Sequence, residues 1–126
     1  MYRFEQYELT SGEGYRGHPY FLTGFVEPAP RPGDPYDPAV DADGWGVALG
    51  RRRVFTDSGG EVVHTATEEL VRMDTCHGRP HVDYVFLPPG HPDRRVWLDG
   101  EWPYRTMKRF LEANWRVYAD AAAERR

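Results

Sequence analysis

The chain has 126 residues, 40% of them hydrophobic and 14% aromatic, and carries a formal net charge of −4. That is the size of one domain with enough apolar bulk for a core, and the acidic balance excludes nucleic-acid binding by the surface as a whole. No apolar run approaches the ~20 residues of a membrane-spanning helix. Met1–Glu5 also lacks the apolar core of a signal peptide, and the single cysteine leaves no internal disulfide, so the expectation is a cytoplasmic protein without membrane contact.

In chain order, Tyr2 to Leu9 alternates loosely and reads as an edge strand. Ser11 to His18 holds Gly12, Gly14 and Gly17 and reads as a turn; without a Gly-Lys-Ser/Thr ending it is not a phosphate loop. Tyr20 to Val26 is apolar and β-rich and predicts a strand. Residues 27 to 44 contain Pro28, Pro30, Pro32, Pro35 and Pro38 among several aspartates, so a surface loop is expected. Its Asp41-Ala42-Asp43-Gly44 step lacks the later ligands of a calcium loop.

Trp45 to Thr56 resumes a strand pattern, with a bend or turn possible at Gly50. Asp57-Ser58-Gly59-Gly60 is a turn signal, and Glu61 to Thr67 reads as strand, either continuing into Leu70–Asp74 or breaking at Glu68-Glu69. Arg51-Arg52-Arg53 could join Arg79, Arg94 and Arg95 in a basic patch, though such runs are more often solvated strand-end charges. Arg94 to Leu98 is a short strand with Val96 and Leu98 on one face. From Pro103 to about Ala123, Tyr104, Met107, Phe110, Leu111, Asn114, Trp115 and Tyr118 recur at helical spacing. The expected fold is α+β: one domain, an antiparallel sheet of about five or six strands, and one long C-terminal helix packed on one face.

The segment Leu70–Leu87 organises the rest. It reads as a hairpin with Thr75 to Pro80 as its loop. Setting Asp74 opposite His81 puts Arg72 opposite Asp83 and Leu70 opposite Val85 on one face. Val71, Met73, Val82, Tyr84 and Phe86 then fall on the other. A slip of one residue would mix the charged and apolar sets, so the pattern selects this register.

The polar face supports several chemistries. Cross-strand pairs Arg72–Asp83 and Asp74–His81 are the plainest reading, each worth ~0–1 kcal/mol if exposed. In an enzyme, His77 and His81 would share acid and base roles, Asp74 would orient the ring, and Arg72 or Arg79 would neutralise a phosphate, as in RNA cleavage by the 2′-hydroxyl. The catalytic set is then Arg72, Asp74, His77 and His81, with Arg79 and Asp83 binding substrate and no metal or cofactor assigned. His77 and His81 with Asp74 or Asp83 also resemble a metal-ligand set, but Gly78 and Pro80 interrupt the helical context that spacing prefers. The alternative is a non-catalytic domain binding a protein partner, with Tyr15, Tyr20, Tyr36 and Trp45 as candidate anchors, although loop packing explains those rings better.

The run Arg72-Met73-Asp74-Thr75-Cys76-His77-Gly78-Arg79-Pro80-His81-Val82-Asp83 resembles the core of small prokaryotic proteins distantly similar to TumE-type toxins. Those show an Arg-x-Asp segment, a short His-containing loop and a strand bearing another His. The resemblance implies a toxin-like protein acting on RNA or translation and paired with an antitoxin partner, with Arg72, Asp74, His77 and His81 at the matching positions. Asp83 stands where a further basic residue would be expected, and the proline-aspartate loop has no counterpart.

Overall fold

The computed structural model describes residues 3–26, 44–76 and 79–124. Strands β1 (Arg3–Glu8), β2 (Tyr20–Val26), β3 (Gly46–Thr56), β4 (Val62–Cys76), β5 (Arg79–Tyr84) and β6 (Arg95–Trp97) precede one helix, α1 (Tyr104–Glu124). The strands form one antiparallel sheet in chain order, β1 through β6, so each described strand lies beside its neighbours in sequence. This is the α+β arrangement expected from the sequence. The proline-rich stretch 27–43, Tyr36 within it, and His77 and Gly78 lie outside the described residues.

α1 lays one stripe on the sheet. Tyr104, Met107, Leu111, Trp115, Ala119 and Ala122 are its buried residues, and they meet Leu22, Val47, Leu49, Val71, Met73 and Val82 in one core. Spacings of three and four put these side chains on one helix face. Pro103 stands at the start, its carbonyl accepting from the Met107 amide. Phe110 and Tyr118 are only half-buried, in an aromatic rim with Trp102, Tyr84 and Phe86. Burial raises the Tyr118 phenol to about 12. Helix and sheet come so close at Gly24 that a Cβ there would collide with the Tyr104 hydroxyl.

Two expectations change in detail, and one open alternative is decided. β3 runs unbroken through Gly50, with neither a turn nor a division into two strands; a side chain at that position would occupy the space of the Phe21 ring. β4 takes the continuous course, fifteen residues through Glu68-Glu69. The β4–β5 pairing runs past the expected loop, through Thr75↔Pro80 to Cys76↔Arg79.

β4 also contains an extra residue. Leu49 pairs with Val71 and Gly50 with Glu69, so Leu70 has no β3 partner. A bulge of this kind resets the alternation of faces. Leu70 and Val71 therefore both enter the core, whereas alternation alone assigned Leu70 to the polar face. Val85 does lie beside it as expected: the Val85 amide donates to the Leu70 carbonyl at 3.2 Å.

Candidate functional site

The sheet face turned away from α1 follows from the register. One row crosses it as Phe4, Phe25, Gly46, Asp74, His81 and Trp97, and the next as Gln6, Thr23, Ala48, Arg72, Asp83 and Arg95. The expected hairpin pairs, Asp74↔His81 and Arg72↔Asp83, are both present.

Sharing a row does not make every expected ion pair. Arg72 turns to Glu69 instead of Asp83, donating through Nε and Nη2 to its two oxygens at 2.8 and 2.9 Å. This fork raises the Arg72 guanidinium pKa above its ordinary value, hydrogen bonding to Glu69 being the largest cause. The cation also lies 5.3 Å from the centre of the Phe25 ring. Asp83 is taken by Arg95, whose Nε donates to Oδ1 at 2.8 Å.

His81 stands between the two aspartates. Its Nε2 is 2.9 Å from Asp74 Oδ1 and its Nδ1 is 3.5 Å from Asp83 Oδ2. The ring is 2% exposed. Trp97 packs edge-on against it at 4.9 Å, and the Arg79 guanidinium lies 4.5 Å from the centre of the Trp97 ring. Neither Asp74 Oδ1 nor His81 Nδ1 has an aligned hydrogen-bond partner, although both atoms are buried. The contact at 2.9 Å is thus an ion-pair approach without hydrogen-bond geometry, and 3.5 Å is too long for a good bond. Desolvation raises the Asp74 carboxyl pKa, helped by repulsion from Asp83 and opposed by His81, Arg72 and Arg95.

Of the proposed catalytic set, the structure joins Asp74 to His81 and sends Arg72 to another partner, while His77 is outside the described residues. Of the two residues expected to bind substrate, Asp83 approaches His81 directly and is held by Arg95, while Arg79 reaches the site only through Trp97; sequence reasoning assigned neither Arg95 nor Trp97 to the site. Their signal was the parity of β6, which puts Arg95 and Trp97 on the face opposite Val96. No basic patch is pooled from the Arg51–Arg53 run. Arg51 and Arg53 pair with Glu68 and Arg52 with Glu8, all far along the sheet from Arg79 and Arg95 on β5 and β6. Tyr20 and Trp45 are core residues, and the Tyr15 hydroxyl donates to Asp120, so these three rings are structural and not exposed anchors.

A second feature lies at the other end of β4. β2 pairs with β3 only as far as Arg51, and β5 pairs with β4 only from Val71. Beyond Arg52, whose amide still donates to the Pro19 carbonyl at 3.0 Å, the two central strands continue as a two-stranded arm, closed by a turn in which Asp57 Oδ1 accepts from the Gly59 and Glu61 amides. Val54, Phe55, Val62 and Val63 are all exposed on it, Val63 by 63%. A second register shift leaves Val63 without a β3 partner, but Val54 and Phe55 are successive and regularly paired on β3, so both sides of the ribbon carry apolar groups.

No protein family, curated protein or solved structure matches the chain in comparison. The likeness to TumE-type toxins thus rests on the Arg72–Asp83 segment that carries it.

Proposed function

We propose that this is a non-catalytic α+β domain that binds a protein partner through the β3–β4 arm. The observation that carries it is the exposure of Val54, Phe55, Val62 and Val63 on a ribbon that no other described strand flanks. Exposed apolar clusters of this kind mark interaction surfaces, and an unpaired strand edge accepts an extended segment by main-chain hydrogen bonds. The occupant is therefore an extended, apolar segment of another protein, added beside Val62–Thr67.

The test uses the 126-residue chain. Proteins retained by wild type are compared with those retained by Phe55→Glu and by Val63→Lys, and a candidate is then purified and mixed with the chain alone. Direct binding should be lost in both arm variants and kept in Asp74→Ala, and it should slow amide exchange over Val62–Thr67. Equal binding by the arm variants, or protection elsewhere only, overturns the proposal.

RNA cleavage is the second reading, favoured by His81 lying between two carboxylates beside an exposed Trp and an Arg, a combination that suits base stacking and phosphate contact. It requires Trp97 to leave the ring, because His81 is sealed. Mixed RNA incubated with wild type, His81→Ala and Asp74→Ala, with and without chelator, separates the cases. Cleavage by wild type alone supports this reading; no cleavage, or cleavage by all three, removes it.

A further inference from the structure

We infer that His81 and Asp83, with Asp74 positioning the imidazole from its other nitrogen, bind a divalent first-row transition ion such as zinc, cobalt or manganese. This goes beyond partner binding and uses a different part of the sheet. The three side chains come from two adjacent strands on one face, and one ligand atom from each lies within 4.8 Å of the others. Acidic neighbours alone would not make a site. The added observation is His81, a buried ring whose Nδ1 has no hydrogen-bond partner and faces a carboxylate.

Buried polar atoms are nearly always satisfied by protein, water or an ion. Across the His81–Asp83 gap a hydrogen bond does not fit, but a metal does. Metal–nitrogen and metal–oxygen bonds are about 2.0–2.2 Å, so two ligands of a tetrahedral ion stand roughly 3.4 Å apart. The gap from Nδ1 to Asp83 Oδ2 is 3.5 Å. Asp74 approaches the opposite nitrogen at 2.9 Å, and a small turn of the ring on binding the ion would align that contact as the hydrogen bond that fixes the tautomer and leaves the Nδ1 lone pair for the ion. Arg95 holds the other oxygen of Asp83 and leaves Oδ2 for the metal. The imidazole ligand favours transition ions over magnesium and calcium, which prefer all-oxygen sets.

The test is calorimetric titration of the 126-residue, chelator-treated chain with zinc, cobalt(II) and manganese(II) salts, alongside melting curves. Wild type should bind one equivalent and melt higher with the ion present. His81→Gln and Asp83→Asn should each lose at least tenfold in affinity and lose the melting shift, and Asp74→Asn should lose about tenfold to a hundredfold, the range for a residue that orients a ligand. Circular dichroism shows which variants fold. If a variant does not fold, paramagnetically shifted imidazole proton signals in the NMR spectrum of the cobalt-loaded wild type report whether a histidine is a ligand; their absence overturns the assignment. No binding by wild type at millimolar ion, or binding that survives both His81→Gln and Asp83→Asn, overturns the assignment. The arm variants should bind the ion as wild type does, so this outcome and that of partner binding are read independently.

Discussion

Asp74 is where burial and charge conflict most directly. Its carboxyl is held above 3.8, the ordinary value, chiefly by desolvation. An acid whose folded pKa is raised holds its proton more tightly folded than unfolded. Its contribution to stability is fully present below the unfolded pKa and is lost as pH rises through the folded one. With chelator present, so that no ion competes, Asp74→Asn should therefore gain stability relative to wild type as pH rises from about 4 to 7, with the difference smallest at the acid end. Denaturant titrations at several pH values measure this, and a pH-independent difference would show that the carboxyl is not held high. Gly50 tests packing on the same face. A methyl group there would enter the Phe21 ring, which is itself buried and lies beneath the Arg52 guanidinium. Gly50→Ala should cost ~1–3 kcal/mol, the range for overpacking, as read from the midpoint of urea unfolding.

Among elements, α1 is the one whose burial ranks its residues most plainly. Leu111 is fully buried and Phe110 is only half-buried at the rim. Leu111→Ala should then cost ~2–5 kcal/mol, and Phe110→Ala less than the ~3–5 kcal/mol of a fully buried ring. Equal losses in melting experiments would mean that the rim is packed as tightly as the core. The helix was legible in sequence because its apolar residues recur at a fixed period, and the β4–β5 register was legible because only one alignment separates charged from apolar side chains. The Arg72–Glu69 fork was not legible. Three residues apart on a regular strand, those side chains would point to opposite faces. The extra residue at Leu70 brings both to one face, and no feature of Glu68-Glu69-Leu70-Val71 announces a bulge. Once Glu69 holds the guanidinium, Asp83 falls to Arg95, a residue on another strand whose position depends on the course of the intervening chain. The packing of Tyr20 and Trp45 was legible only in part: they flank the proline-rich stretch in sequence, so packing against that loop was expected, whereas their side chains face α1.

At the scale of the whole molecule, the sheet is uneven in support. Its centre is flanked on both sides by strands and covered by α1, and Leu49, Val71 and Met73 are fully buried there. Its β3–β4 arm has neither flanking strands among the described residues nor a helix contact in the core cluster. A two-stranded ribbon alone is marginally stable in water, and local opening follows the density of buried contacts. In the isolated chain, amides of Val62–Thr67 should therefore exchange faster than those of Val71–Met73, although both lie on one continuous strand. Exchange followed by mass spectrometry or NMR measures the ratio. Substitutions at Val54 or Val63 should change global stability by no more than about 0.5 kcal/mol, since exposed positions contribute little to the folded state. If the arm exchanged as slowly as the centre, its edges would already be protected within one chain. An added strand would then find no open backbone along Val62–Thr67, and the arm would be a rigid extension of the core and not a receptor for another protein.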